Sequence, residues 1–311
     1  MAHTHDDHKH DHGHKHHNHA PESATNHAFF LATGLNLIFV IAETVYALMA
    51  NSMSLLADAG HNLGDVFGLA MAWAASWLLT KPSNKQYSYG YKKTTILAAI
   101  ANALLLTLAT GIIAYESILR LMHPAPITEK IIMIVAGLGI LINGGTALLF
   151  IKNSKDDLNI KSAFVHLASD ALLSLGVVVT GAIVLFTHWL WLDPLVGLFI
   201  AITILAGTWG LMRDSVNLIL AAVPQHIPQE KVRRYLAELP GVKAVHDLHI
   251  WGLSTREAAL TAHLVMPEKT LSDEDFHQIN DYLKHHFKIN HATLQVERGT
   301  IENPCGQVEV C

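Results

Sequence analysis

Long apolar stretches alternate with short polar loops through the central part of this chain. A membrane-spanning helix needs about 20 predominantly apolar residues, and six segments meet that requirement. They cover roughly residues 28–50, 53–80, 94–119, 130–152, 161–187 and 194–217. The pattern predicts a polytopic α-helical membrane protein with six transmembrane helices, and the even number places both ends of the chain on one side of the membrane.

The short loops between the predicted spans differ in charge. The second-to-third and fourth-to-fifth loops carry lysines, whereas the first-to-second and fifth-to-sixth loops carry no Lys or Arg. These lysines are Lys81, Lys85, Lys92 and Lys93 in the earlier loop, and Lys152, Lys155 and Lys161 in the later one. Because Lys and Arg accumulate in cytoplasmic loops, we expect both termini to be cytoplasmic. We expect the protein to lie in the cell (inner) membrane.

After Pro224 the chain changes to shorter, more polar periodic segments. Residues 227–240 and 272–287 have the pattern of amphipathic helices, and residues 242–253, 257–266 and 291–298 that of strands with period-two alternation. The α-β-β-α-β order predicts a small α+β domain with helices on one face of a sheet. A domain of this size holds only a modest core, so we expect the protein to form a homodimer.

Composition supports this division. The chain is 51% hydrophobic and 15% charged, against about 25% charged in an average soluble protein. A net charge of -5 argues against nucleic acid as a partner.

The predicted regions are a disordered His-rich cytoplasmic tail at 1–27, a transport domain at 28–220, a cytoplasmic domain at 221–300 and a C-terminal tail at 301–311. Cys305 and Cys311 are the only cysteines, which argues against a disulfide framework.

Two predicted membrane helices carry the same polar pair. His61 and Asp65 lie four residues apart, as do His166 and Asp170, so each pair projects from one helix face. Two imidazoles and two carboxylates are suitable ligands for tetrahedral zinc, and two carboxylates balance a divalent cation. The two helices belong to opposite halves of the bundle and run in opposite directions, as in an inverted repeat around a midplane site.

Other interpretations of these pairs remain open at this point. Each pair could be a local hydrogen bond within its helix. An intramembrane metalloprotease would require an HExxH motif, and neither stretch has one. A channel is disfavoured because a closed four-ligand shell holds an ion too tightly for rapid passage. The remaining alternative is a non-transporting, membrane-anchored zinc receptor or buffer, although an anchor has no use for intramembrane ligands.

Several stretches together resemble the cation diffusion facilitator family of zinc transporters, over residues 28–300. They are SMSLLADAGHNLGD, YSYGYKKTTILAAIANALL, DLNIKSAFVHLASDALLSLGVVV and VHDLHIW, with the His-rich tail. The resemblance implies a homodimer that exports zinc, and potentially cadmium, cobalt or nickel, in exchange for protons by alternating access. It also implies a metallochaperone-like, ferredoxin-like cytoplasmic domain, and a transport site at His61, Asp65, His166 and Asp170.

The same resemblance implies further zinc ligands in the cytoplasmic domain, namely His246, His263, His277 and Glu297. Cys305 and Cys311 could form another site together with a histidine of the tail. The tail contains ten of the 22 histidines within residues 1–27, and we interpret it as a flexible zinc collector.

Other polar residues in the apolar helices have simpler interpretations. Asp58 shares a helix face with His61 and could act as a relay carboxylate. Glu43, Asn36 and Asn143 are expected to form interhelical hydrogen bonds.

Overall fold

The computed structural model describes residues 22–150 and 158–299. Within them the first six helices are α1 (Glu22–Ala50), α2 (Met53–Leu79), α3 (Thr94–Met122), α4 (Glu129–Phe150), α5 (Leu158–Thr187) and α6 (Leu192–Ile219). α1 begins earlier than the predicted residue 28. Lys152, Lys155, Cys305, Cys311 and the tail up to residue 21 lie outside the described residues.

The helices have the length and surface of a membrane bundle. Among the residues that the structure describes, four segments are long and apolar enough to span a membrane: Thr94–Met122, Glu129–Leu148, Phe164–Thr187 and Leu192–Ile219. α1 contributes a shorter apolar segment, Asn36–Ala50. α2 is 27 residues long but carries the polar candidate-site residues, which lower its hydropathy. Large apolar side chains such as Trp73, Ile112 and Phe186 point outwards, as expected for a surface in lipid.

The first turn of α2 is fixed to the first turn of α6. Asp193 is fully buried, and its Oδ1 accepts hydrogen bonds from the hydroxyls of Ser52 (2.6 Å) and Ser54 (2.5 Å). Its Oδ2 accepts one from the backbone N–H of Met53 at 2.6 Å. The two helices also pack closely at this end. A side chain at Gly197 would not fit, because its Cβ would lie 2.7 Å from the Met53 backbone. The N-termini of α2 and α6 are therefore held together.

The C-terminal part is a three-stranded sheet with two helices. Its elements are α7 (Gln229–Ala237), β1 (Ala244–Gly252), β2 (Ala258–Val265), α8 (Asp273–Phe287) and β3 (Ile289–Glu297), with strand order β1-β2-β3. β1 and β2 are antiparallel, and β2 and β3 are parallel across α8. This matches the predicted α-β-β-α-β order. The predicted alternation is wrong for β2, which is mostly buried on both faces because it is the central strand.

Polar contacts join this sheet domain to one end of the bundle. Lys92 Nζ, just before α3, lies 2.5 Å from Glu257 Oε2, just before β2. The backbone N–H of Thr255 donates to Thr95 Oγ1 at 3.1 Å. The sheet domain therefore lies at the bundle end where α3 begins and α2 and α6 end.

Candidate metal centres

The antiparallel packing of α2 and α5 brings the two predicted pairs together. His61 Nε2 lies 3.4 Å from Asp170 Oδ1, and His166 Nε2 lies 3.3 Å from Asp65 Oδ2. Within each helix the histidine–aspartate separations are longer, 3.8 Å on α2 and 3.6 Å on α5. Each histidine is thus closest to the aspartate of the other helix, so the pairs are not isolated local contacts.

These separations suit a small tetrahedral cation. Zinc bonds of about 2.0–2.2 Å to histidine nitrogen and carboxylate oxygen place neighbouring ligand atoms about 3.3–3.6 Å apart. Three of the four histidine–aspartate separations fall in that interval. Ligand atoms of His61, His166 and Asp170 all lie within 4.8 Å of one another. Asp65 contacts both histidines but stands outside this closest group of three.

The exposed fraction of the side chain differs from ligand to ligand in the helix cluster. His166 and Asp65, the ligands nearer the sheet domain, have side chains 50% and 37% exposed. His61 and Asp170, farther from it, are 20% and 5% exposed. The two ligands nearer the sheet domain are therefore the more accessible ones.

Two further buried carboxylates, on α1 and α2, lie near His61. Glu43 on α1 accepts a hydrogen bond from Asn62 Nδ2 at 3.0 Å, which confirms the predicted interhelical bond. Asp58 on α2 accepts one from Ser174 Oγ on α5 at 2.7 Å. Neither belongs to a group of potential ligands in the described residues.

A second cluster lies on the sheet. β1 and β2 pair His246 directly with His263, and β3 adds Glu297 at its end. Glu297 Oε2 lies 3.0 Å from His246 Nε2, and Glu297 Oε1 lies 2.9 Å from His263 Nδ1. Ligand atoms of these three residues lie within 4.8 Å of one another. Two imidazoles and one carboxylate form a donor set that zinc accepts.

The sheet cluster differs from the predicted ligand set in two ways. His277 lies on α8 with its side chain 72% exposed, 3.8 Å from Asp281, and is not part of the cluster in this subunit. Asp247 was not predicted, yet its Oδ2 lies 3.3 Å from His263 Nε2 and its Oδ1 2.8 Å from His249 Nε2. A bulge between His246 and His249, with a φ of 50° at Asp247, brings this side chain to the cluster.

The described residues define a polytopic membrane protein with a candidate cation site between two of its helices and a second on an attached α+β domain. Family models match both parts: the cation efflux transmembrane domain over residues 29–220, and the cation efflux protein cytoplasmic domain over residues 224–299. The chain belongs to the cation efflux family and is an integral membrane transporter. The resemblance to the cation diffusion facilitators is confirmed.

Curated relatives cover nearly the whole chain. The cation efflux system protein CzcD of Alcaligenes sp. (strain CT14) is 36% identical over 280 residues, which is 90% of this chain and 87% of the relative. The zinc transporter ZitB of Escherichia coli is 32% identical over 306 residues, 98% and 95% of the two chains. The cadmium, cobalt and zinc/H(+)-K(+) antiporter of Bacillus subtilis is 31% identical, with 87% of each chain covered.

Proposed function

We propose that this protein exports zinc from the cytosol in exchange for protons, with His61, Asp65, His166 and Asp170 as the transport site. The observation that carries the proposal is the meeting of two histidines and two aspartates from antiparallel helices inside the bundle. Ionisable residues within membrane helices are expensive and mark ion pathways. A membrane-anchored receptor would not need them.

Zinc is the favoured substrate because of the donor set. Imidazole nitrogen and carboxylate oxygen suit a borderline-soft cation in tetrahedral coordination, and the two carboxylates neutralise its charge. The names of the relatives support zinc and add cadmium and cobalt. Related divalent cations, including nickel, therefore compete for the same ligands, in an order set by geometry and donor type.

The gradient of exposure supports alternating access with the site open toward the sheet domain. We assign that side to the cytosol, which places both termini in the cytoplasm and the bundle in the cell membrane. Zinc then reaches His166 and Asp65 first. Histidine releases its proton near neutral pH, and metal binds only to deprotonated ligands, so protons and zinc compete for the site.

The sheet domain has a separate role in this proposal. His246, His263 and Glu297 hold a resident zinc ion, and Asp247 lies close enough to complete the shell. The cytoplasmic-domain match and the modest core support dimerisation through this domain. His277 is exposed on α8, and in a dimer it faces either solvent or the second subunit.

Proteoliposomes with an imposed pH gradient test this function directly. We expect zinc uptake into acidic vesicles, accompanied by alkalinisation of their lumen, and loss of both in Asp65→Ala. Matched vesicles without a gradient serve as the control. A protein that binds zinc but moves none across the membrane would support the receptor alternative.

A further inference from the structure

A cavity lies between the sheet domain and one end of the bundle. Its volume is about 610 Å³, which is in the range of sites that bind small molecules. The start of α3 and the chain after α6 form its bundle side, and residues of α7, β1 and β2 form the other side. The lining residues with polar side-chain groups are Lys93, Gln229, His249, Trp251 and Thr261.

The cavity lies at the level where the apolar spans end. Lys93 directly precedes the span that begins at Thr94, and Ala221 closely follows the span that ends at Ile219. Lipid headgroups flank the hydrocarbon core of a bilayer, so the phosphates of one leaflet lie at the depth of this cavity. Trp251, also in the lining, is of a residue type enriched at membrane interfaces.

Lys93 gives the cavity a positive charge that no neighbouring side chain balances. Its ammonium forms no hydrogen bond or ion pair within the part of the chain that the structure describes, whereas the adjacent Lys92 is bound to Glu257. The described lining residues include no aspartate or glutamate. Asp247 contacts His249 of the lining and therefore has a partner of its own. The charge of the cavity thus favours an anion and disfavours a metal ion.

Apolar side chains continue from the cavity along the outside of the bundle. Leu97 lies one turn after Lys93 on α3 and is exposed, as is Leu220, which directly precedes Ala221 of the lining. Farther along the face of Leu97, Leu104 and Leu108 are exposed too. A ligand with acyl chains can bury them against these leucines while its phosphate contacts Lys93. A free anion gains nothing from this surface.

We propose that this cavity binds the phosphate headgroup of an anionic phospholipid from the leaflet on the sheet-domain side. The phosphate pairs with the Lys93 ammonium. The hydroxyl of Thr261 and the amide of Gln229 can bond headgroup hydroxyls, such as those of phosphatidylglycerol. A zwitterionic headgroup fits less well, because its own ammonium would lie close to Lys93. The site is separate from zinc export and uses none of the proposed zinc ligands.

A lipid in this position connects the bundle with the sheet domain. Its phosphate contacts Lys93 before α3, while its headgroup contacts Thr261 on β2 and Gln229 on α7. It therefore adds to the direct contacts that Lys92 and Thr95 make with the sheet domain. Because a ligand that binds only the folded state stabilises it, the bound lipid should raise the Tm.

Lipid binding to the purified full-length protein in micelles, without zinc, tests the site. Native mass spectrometry should show phosphatidylglycerol retained more strongly than phosphatidylcholine. We expect Lys93→Gln to weaken phosphatidylglycerol binding by at least about fivefold. Lys85→Gln is the matched control, because Lys85 carries the same charge in the same loop but does not line the cavity. Equal binding by the wild type and Lys93→Gln, or equal weakening in both variants, would overturn the proposal.

A second variant separates the cavity from the charge. Ala222→Phe keeps every charge but fills part of the cavity, so it should also weaken phosphatidylglycerol binding. Unchanged binding in this variant would place the lipid outside the cavity and contradict the assignment.

Glycerol phosphate distinguishes a lipid from a free anion. It should not displace phosphatidylglycerol at comparable concentration, and equally effective displacement would refute the lipid as the ligand. Thermal melts give a further readout, in which phosphatidylglycerol should raise the Tm of the wild type and Lys85→Gln more than that of Lys93→Gln. A wild-type Tm that does not respond to phosphatidylglycerol would count against the site. None of these measurements depends on whether the protein exchanges zinc for protons.

Discussion

Asp170→Asn is the substitution that tests the proposed transport site most sharply. Asp170 is 5% exposed, and its two oxygens lie 3.4 Å from His61 Nε2 and 3.6 Å from His166 Nε2. Asp65 and Asp170 both contact both histidines, and Asp170 is the more buried of the two. Asparagine keeps the shape of the side chain but removes its negative charge and weakens its donation to a metal.

The size of the effect follows from the burial of Asp170. Removing one partner of a buried ionic interaction costs about 3–5 kcal/mol. Because about 1.4 kcal/mol corresponds to tenfold in affinity, zinc should bind the transport site at least about 100-fold more weakly. Asp65→Asn should have a smaller effect, since the Asp65 side chain is 37% exposed and water can replace part of its contribution.

Equilibrium zinc titration and vesicle flux measure these changes together. Both should be made in a protein that lacks residues 2–26 and also carries His246→Ala and His263→Ala, so that neither the His-rich tail nor the sheet cluster contributes. Asp214→Asn is the control, because Asp214 lies near the end of α6 and bonds only Gln225 among the described hydrogen bonds. Zinc affinity and flux in Asp170→Asn within a factor of two of that control would refute the assignment.

Three further predictions concern selectivity, the bundle and the sheet domain. His61→Asp should loosen discrimination between zinc and manganese or cadmium in competition flux assays, because it replaces a nitrogen donor with a harder, charged oxygen. Asp193→Ala should destabilise the protein in detergent by about 1–3 kcal/mol, seen as a lower Tm, because it leaves buried donors of the α2 N-terminus unpaired; an unchanged Tm would contradict this role. Hydrogen bonds from the Ser272 backbone and hydroxyl hold the pKa of Asp275 below its usual value. Its stabilisation of α8 is therefore fully present above the ordinary aspartate pKa of about 3.9 and is lost as the pH falls through the lowered pKa of the folded state. Thermal melts of Asp275→Ala and wild type should accordingly differ at neutral pH and converge in strong acid.

The meeting of the four proposed transport ligands was largely predictable because their spacing is periodic. Histidine and aspartate four residues apart share a helix face whatever the rest of the fold does. When two such helices run in opposite directions and their pairs lie at the same depth, each histidine is level with the other helix's aspartate. The observed cross-helix distances, shorter than those within each helix, are the consequence of that antiparallel arrangement.

The sheet cluster was less predictable because it depends on an irregular strand. In a regular strand Asp247 would face away from His246, so no alternation rule places them together. The bulge and the left-handed conformation of Asp247 are set by packing across the sheet and leave no clear signal in the sequence. The burial of β2 likewise depends on its central position, which α8 determines by carrying the chain into a parallel β3.

Zinc-edge X-ray absorption tests most directly whether these four side chains hold the transported ion. The spectrum should be recorded from protein lacking both residues 2–26 and the sheet cluster, with one zinc bound per subunit. We predict a shell of nitrogen and oxygen ligands at about 2.0–2.2 Å that includes two imidazoles, falling to one imidazole in His166→Ala. A sulfur ligand, or an imidazole contribution unchanged in His166→Ala, would contradict the central claim.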